Sequence, residues 1–162
     1  MLEITAEVRD AMLAHAIACR PLEACGLLVR PEGALVVDAF RPVTNAVEST
    51  EIFVLDPQGM LDVERAADDA GREVVGVMHS HTTTSPYPSP TDVADSDRYD
   101  PDGLYHQVVV SLRHAEPSIR SYRIRSGEVS EERVIVVEDE PVIHDGAGAI
   151  AAVMSLPRLP KD

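Results

Sequence analysis

Two histidines lie one residue apart in the stretch MHSHTTTSPYPSPTD, which runs from Met78 to Asp92. The residues before it, EVVGV, are apolar and predict a buried strand that extends through Ser80. Because residues i and i+2 of a strand face the same side, His79 and His81 are expected to project together from the strand's end. Two neutral imidazoles held this close suit zinc, which binds nitrogen at about 2.0–2.1 Å.

Asp92 is the candidate for a third ligand, because a catalytic zinc needs three protein ligands and an open position for water. The sequence SPTD has an alternative reading as a helix start, with Ser89 as N-cap and Pro90 as the first helical residue. In that reading, Asp92 only satisfies backbone donors. The two roles are compatible, because a cap can fix the loop while Asp92 points at a metal.

A hydrolytic zinc site also needs a carboxylate that takes a proton from water and passes it to the leaving amine. Glu23, in the stretch RPLEACGLLV, lies immediately ahead of a predicted strand and is the candidate. The alternative is that Glu23 is a solvated turn residue.

The elements that must position these residues are strands mixed with three helices. Thr5 is predicted to cap the first helix, Asp56-Pro57 to begin the second, which ends near Gly71, and the third to span roughly 91–98. The predicted strands are CGLLVR and ALVVDAF, joined by a Pro-Glu-Gly turn, then EIFVL, EVVGVMHS and YHQVVVSL, and finally SIRSYRIR and VSEERVIVVE, linked across SGE. This pattern predicts a mixed α/β domain, with a mixed β-sheet flanked by helices.

Length and composition set the broad class of the protein. We expect the 162 residues to form one domain over residues 1–138, followed by a Gly/Ala/Pro-rich tail over residues 139–162. A formal net charge of −14 disfavours nucleic acid and anionic membranes as partners. The sequence shows neither a membrane-spanning apolar run nor a signal-peptide layout, which predicts a cytoplasmic protein. The two cysteines, Cys19 and Cys25, are too few for a disulfide framework and are predicted to be reduced thiols.

The spacing of these residues resembles a known family. His79-x-His81, seven residues and then Ser89-x-x-Asp92 are similar to the whole motif of the JAMM (MPN+) metallopeptidases. That family also carries a glutamate in a P-x-E-x-C-G-x-L context, and PLEACGLL matches it. Over roughly residues 2–138 the chain resembles small actinobacterial members that act on sulfur-carrier proteins.

The resemblance implies a role for each matching residue. His79, His81 and Asp92 correspond to the ligands of Zn²⁺, Glu23 to the general base that activates the attacking water, and Ser89 to a hydrogen-bond donor to the developing oxyanion. The implied fold is a mixed sheet between helices, similar to that of cytidine deaminases. The remaining histidines of the strand region, His106 and His114, match no motif position and are read as ordinary strand or loop residues.

The resemblance also implies a substrate. The expected activity is that of a zinc-dependent peptidase that hydrolyses the bond after the C-terminal Gly-Gly of a small ubiquitin-like sulfur-carrier protein, releasing cysteine or a short C-terminal extension. The family includes dimers, so a homodimer is left open. Two alternatives remain: a zinc amidohydrolase of a small molecule, and a non-catalytic MPN interaction module. Other zinc hydrolases fit less well, because the sequence has no HExxH, HxHxDH or paired-cysteine deaminase motif.

Overall fold

The structure, a computed structural model, describes residues 1–138, and the predicted tail over residues 139–162 lies outside them. Its helices are α1 (Ala6–Cys19), α2 (Pro57–Asp69) and α3 (Pro90–Tyr99). Its strands are β1 (Leu2–Thr5), β2 (Cys25–Pro31), β3 (Val36–Val37), β4 (Ala39–Val43), β5 (Arg72–His81), β6 (His106–Ser111), β7 (Ser118–Arg125), β8 (Glu128–Glu132) and β9 (Val134–Val137).

Six of the strands form the main sheet, in the order β4-β2-β5-β6-β7-β8. β5 runs parallel to β6 and antiparallel to β2, so the sheet is mixed as predicted. β5 is buried from Val75 to His81, as the apolar pattern of EVVGVMHS predicts for a central strand covered on both faces. A smaller sheet, ordered β3-β1-β9, packs beside it.

The two faces of the main sheet carry separate apolar clusters. Helix α1 covers one face, where Met12 and Ala16 join a large cluster that includes Met78 of β5. On the other face, Val77 belongs to a smaller cluster that includes Phe53 and residues of α2. Because His79 is two residues beyond Val77, its side chain projects on the α2 side of the sheet.

All three helices begin at the predicted capping residues. The Thr5 hydroxyl accepts a hydrogen bond from the Val8 amide at 3.2 Å, and the Asp56 carboxylate accepts one from the Gly59 amide at 2.8 Å. Ser89 caps α3 through a capping box. Each such cap contributes about 1 kcal/mol to stability. Within residues 1–138, no helix is long and apolar enough to cross a membrane.

Two predicted strands are wrong in their extent. VSEERVIVVE is not one strand: it divides at Arg133 into β8, which pairs with β7, and β9, which pairs in parallel with β1. ALVVDAF divides at Asp38 into β3 and β4. Both divisions depend on β1, a strand of only four residues that the sequence analysis did not predict. The local sequence pattern does not reveal that a distant strand, β1, pairs with only part of each predicted strand.

The predicted strand EIFVL is also wrong. Only Leu55 makes a ladder contact, as an isolated bridge with Asn45. The rest of the segment forms no strand, and its backbone is held by the Asn45 side chain and by a hydrogen bond from the Ala46 amide to the Val54 carbonyl. The segment has the residue types of a strand, but the Asn45 side-chain amide takes two of the hydrogen bonds that a partner strand would make.

Glu132, at the end of β8, forms a buried polar cluster away from the sheet end that carries His79. It accepts a hydrogen bond from the Ser121 hydroxyl at 2.8 Å, and His106 Nδ1 lies 2.5 Å from the same carboxylate oxygen. Burial acts to raise the pKa of Glu132, but hydrogen bonds from His106, the Met1 amine and Ser121 outweigh it and hold the pKa at about 2. His106 is therefore a structural strand residue, as read from the sequence.

We predict that Glu132→Gln lowers the free energy of unfolding at pH 7 by about 1–3 kcal/mol, because His106 and Ser121 lose a charged acceptor. Glu132 has a pKa below the usual value of about 4.5, so its contribution is complete above that pH and is lost as the pH falls towards about 2. Urea unfolding across this range should show the gap between wild type and variant closing. Glu131→Gln, whose partner Arg120 is exposed, is the control and should cost under about 0.5 kcal/mol; an equal loss in both variants would contradict the cluster's role.

Candidate metal centre and catalytic groups

The end of β5 brings together three of the predicted site residues. His79 and His81 are 2% and 5% exposed, and their Nε2 atoms lie 3.1 Å apart. Asp92, in the first turn of α3, places Oδ2 at 3.2 Å from the His79 nitrogen and 3.3 Å from the His81 nitrogen. The three donor atoms therefore form a nearly equilateral triangle.

This triangle has the dimensions of a metal site. Atoms bound at about 2.0–2.1 Å to a tetrahedral zinc lie about 3.3–3.4 Å from one another. The observed sides of 3.1–3.3 Å agree with that spacing. Two imidazoles and one carboxylate are also a donor set that zinc accepts, and they leave a fourth position free. Among residues 1–138 no other group of three His, Cys, Asp or Glu side chains converges in this way.

Neighbouring groups orient the two imidazoles differently. His81 Nδ1 lies 2.8 Å from the Ser85 carbonyl oxygen, so this nitrogen donates its proton and Nε2 is left with a free lone pair. The His79 ring stacks on Phe53, with ring centroids 4.4 Å apart and planes inclined by 16°. His79 Nδ1 is buried and has no hydrogen-bond partner among the described residues. Packing against Phe53 therefore takes the place of a hydrogen bond in holding that ring.

Ser89 and Asp92 form the capping box that the sequence predicts. The Ser89 amide donates to Asp92 Oδ2 at 2.7 Å, and the Asp92 amide donates to Ser89 Oγ at 3.1 Å. The oxygen that completes the cap is the same Oδ2 that faces both imidazoles, so the capping role does not prevent metal binding. Ser89 uses its hydroxyl oxygen as an acceptor in this box, which leaves the hydroxyl proton free to donate.

Glu23 reaches the same sheet end through the pairing of β2 with β5. Cys25 lies opposite His79, and continuing this register places Glu23 opposite His81. Two hydrogen bonds extend the pairing: the Ala24 amide donates to Ser80 Oγ at 2.8 Å, and the Ser80 amide donates to the Ala24 carbonyl at 3.0 Å.

The environment of Glu23 is that of a buried acid, and the alternative of a solvated turn residue is wrong. Glu23 is 3% exposed, and its Oε2 has no hydrogen-bond partner among the described residues. Burial raises its pKa to about 7, against the opposing effect of His81. A carboxyl group tuned in this way can both accept and return a proton near neutral pH.

The pKa directions of His79 and Asp92 also fit a cation site, whereas that of His81 reflects a proton on Nε2 that a bound cation would replace. Burial lowers the pKa of His79, which favours the neutral imidazole that a metal requires. Burial acts to lower the pKa of His81 as well, but the hydrogen bonds to Asp92 and to the Ser85 carbonyl outweigh it. Burial acts to raise the pKa of Asp92, but hydrogen bonds from both imidazoles hold it well below its usual range. Asp92 is therefore an ionised carboxylate.

Neither cysteine takes part in this arrangement. Cys25 is buried, its thiol donates to the Val43 carbonyl at 3.3 Å, and burial raises its pKa to about 12. Cys19 is a half-buried free thiol on α1. Both cysteines are free thiols, as predicted, and Cys25 is packed in the interior.

Sequence reasoning missed three residues that support the site: Asn45, Phe53 and Ser80. Ser80 lies between the two histidines and faces the opposite side of β5, where its hydroxyl holds the Ala24 amide. Phe53 lies within the stretch that was predicted to be a strand. The stacking of the partly buried Phe53 on His79 could be predicted only once the path of the loop is known. Nothing in the local sequence marks Asn45 as a structural amide.

Comparison with known proteins agrees with the fold and shows the family. Residues 5–125 match the family described as prokaryotic homologs of the JAB domain. The chain is 45% identical over 139 residues to the CysO-cysteine peptidase of Mycobacterium tuberculosis, covering 85% of this chain and 92% of the relative. A desampylase from Haloferax volcanii is 38% identical over 96 residues, covering 56% of this chain and 69% of the relative. The solution structure of DSY2949 from Desulfitobacterium hafniense is 31% identical, with a TM-score of 0.76, and the match covers 89% and 98% of the two chains.

A mixed sheet flanked by helices, with a His–His–Asp group at its end, defines a JAB-type domain. The chain belongs to the prokaryotic JAB-domain family, part of the JAMM/MPN group. The resemblance drawn from its HxH and SxxD spacing is thereby confirmed.

We predict that the purified protein binds one equivalent of Zn²⁺ and that His81→Ala loses it, because two remaining donors do not hold zinc tightly. Metal content after dialysis, measured by elemental analysis, checks this prediction. His114→Ala is the matched control, because His114 is exposed on the loop after β6, and it should retain the metal. Full metal content in His81→Ala would place the site elsewhere.

Proposed function

We propose that this protein is a zinc-dependent peptidase that hydrolyses the bond after the C-terminal Gly-Gly of a small ubiquitin-like sulfur-carrier protein. The observation that carries the proposal is the triangle of His79, His81 and Asp92 donors beside a buried Glu23. The identity to a CysO-cysteine peptidase over most of both chains supports the substrate class. Cysteine attached to the carrier is the residue we expect to be released.

Within this proposal the metal supplies Lewis acidity, which polarises the scissile carbonyl and lowers the pKa of water. Glu23 takes the proton from the attacking water and delivers it to the leaving amine. Its burial supports this role, because a pKa of about 7 lets the same carboxyl group act first as base and then as acid at neutral pH.

Ser89 is the proposed donor to the oxyanion. Its hydroxyl oxygen already accepts the Asp92 amide, which fixes the Ser89 side chain in one orientation. The hydroxyl proton is not used in the capping box, so it is available to meet new negative charge on the substrate. A preorganised donor of this kind contributes about 3–4 kcal/mol to transition-state stabilisation.

The burial of the proposed ligands favours a substrate with small residues beside the scissile bond. The His81 and Asp92 side chains are both only 6% exposed, so a bulky residue beside the scissile bond would not reach them. Two glycines have no side chains and can pass where larger residues cannot. We propose that Thr83 and Thr84, which are exposed and lie shortly after His81, border this approach.

The proposal is tested with a Gly-Gly-ending sulfur carrier that bears one extra C-terminal cysteine, measured by intact mass with and without a zinc chelator. We expect the mass to fall by one cysteine residue, and the chelator to stop the reaction. We also expect Glu23→Gln to keep its zinc and lose nearly all turnover, because an amide cannot accept the proton.

Each other outcome points to a different function. Cleavage of a free Gly-Gly-Cys peptide as fast as of the whole carrier would favour a small-molecule amidohydrolase. A protein that holds no zinc and is unaffected by Glu23→Gln would be an interaction module. Substantial turnover by Glu23→Gln would mean that the base is elsewhere.

Ser89→Ala separates the catalytic role of this residue from its capping role. Losing the cap should cost about 1 kcal/mol of stability, and losing the oxyanion donor should lower kcat by about 10²–10³-fold with zinc retained. Thr5→Ala is the matched control, because it removes the N-cap of α1, which is remote from the site. Equal turnover in the two variants, measured at a temperature where both are folded, would exclude a catalytic role for Ser89.

A further inference from the structure

Asn45, two residues beyond the end of β4, is a buried amide that uses its full hydrogen-bonding capacity. It is 9% exposed. Its Nδ2 donates to the Glu23 carbonyl at 3.2 Å and to the Ile52 carbonyl at 3.1 Å. Its Oδ1 accepts from the Val47 amide at 3.2 Å and from the Val54 amide at 3.0 Å. Two donors and two acceptor sites are all that a side-chain amide has.

These four bonds join the two parts of the site that come from outside the HxH–SxxD stretch. One bond goes to the backbone of Glu23, the proposed base. Two go to the residues on either side of Phe53, whose ring stacks on His79. Among the described side chains, Asn45 is therefore the one that hydrogen-bonds both to the backbone of Glu23 and to the residues that flank Phe53.

The loop that begins at Asn45 holds Glu23 at both of its backbone polar groups. The Glu23 carbonyl accepts from Asn45, and the Glu23 amide donates to the Ser49 carbonyl at 2.8 Å. By contrast, Glu23 Oε2 has no hydrogen-bond partner within residues 1–138. The direction of the carboxylate therefore depends on where the backbone places the residue.

We infer that Asn45 is a positioning residue for Glu23, an inference that rests on the proposed function. It holds the backbone of Glu23 opposite His81, so that an otherwise unanchored carboxylate points to the reacting water. Asn45 does not itself reach the reacting atoms: its amide is consumed by four backbone groups.

The requirement for an amide at this position is chemical. Aspartate has nearly the same shape but lacks the two Nδ2 donors, and its second oxygen would face the carbonyl oxygens of Glu23 and Ile52. Repulsion between these oxygens would push the Glu23 backbone away from its present position. Misplacement of a reacting group by about 1 Å costs about 10²-fold in rate.

The test compares Asn45→Asp with the native protein in the carrier-cleavage assay, with zinc content measured on the same samples. We expect kcat to fall by about 10–100-fold with zinc retained and KM unchanged within about twofold, because substrate binding does not use Glu23. In a Glu23→Gln background, Asn45→Asp should lower the residual rate by less than about twofold, because the group it positions has already lost its function.

Asp56→Ala is the control for stability. It removes the α2 N-cap of the same connecting segment without touching Glu23, so it should lower the melting temperature and leave kcat unchanged. Equal losses of kcat from Asn45→Asp in the native and Glu23→Gln backgrounds would overturn the inference. So would a loss of kcat in Asp56→Ala as large as that in Asn45→Asp.

Hydrogen exchange at the Glu23 amide provides a readout that does not depend on turnover. Asn45→Asp should accelerate this exchange, whereas the Ala24 amide, which is held by Ser80, should be far less affected. Unchanged exchange at Glu23 would contradict the inference even if the protein proves active. A native protein that does not cleave the carrier would contradict the proposed function alone, because the exchange result would still decide the role of Asn45.

Discussion

In the antiparallel pairing of β2 with β5, Cys25 lies opposite His79, and the arrangement of the whole site follows from this register. It sets Glu23 beside His81 although the two are far apart in the sequence. Side chains alternate between the faces of a strand, so a slip of one residue would turn Glu23 to the α1 side of the sheet. The bonds between Ala24 and Ser80 extend the pairing beyond the regular ladder and resist such a slip.

Two buried polar atoms of the site lack hydrogen-bond partners among the described residues, which lowers the stability of the fold. Glu23 is buried with an unpartnered oxygen, and such a group costs about 1–3 kcal/mol. His79 also has a buried nitrogen without a partner among the described residues. The surrounding structure offsets these costs through ordinary means: two apolar clusters, three capped helices and the polar cluster around Glu132. Groups left incompletely satisfied inside a well-packed domain are a common sign of a functional site.

Sequence reasoning was most successful where one local pattern determines the structure. The residues His79, His81, Ser89 and Asp92 lie within one strand–loop–helix unit. Strand alternation predicted that the two histidines project together, and the helix start made Asp92 a candidate third ligand, but the family resemblance was needed to choose between its capping and metal roles. The proposed base, Glu23, needed the family resemblance, because on local grounds it was first read as a solvated turn residue. Strand extents failed where a distant partner decides them, as with β9 and β1. A bulge in the β2–β5 pairing, where Leu28 faces Gly76 and Val29 faces Val74, likewise leaves no signal in the apolar run EVVGV.

The origin of the site residues along the chain has a consequence for the order of folding. The three convergent donors come from β5 and the start of α3, so the loop that joins them is short and closing it costs little entropy. Glu23 joins them only after a long loop has closed and β2 has added to the sheet, which is a slower, non-local step. Assembly of the donor triangle therefore carries a smaller loop-closure cost than the addition of Glu23, which needs the β2–β5 pairing. The pairing of β2 with β5 is the step that completes the site, because it brings Glu23 to the three donors.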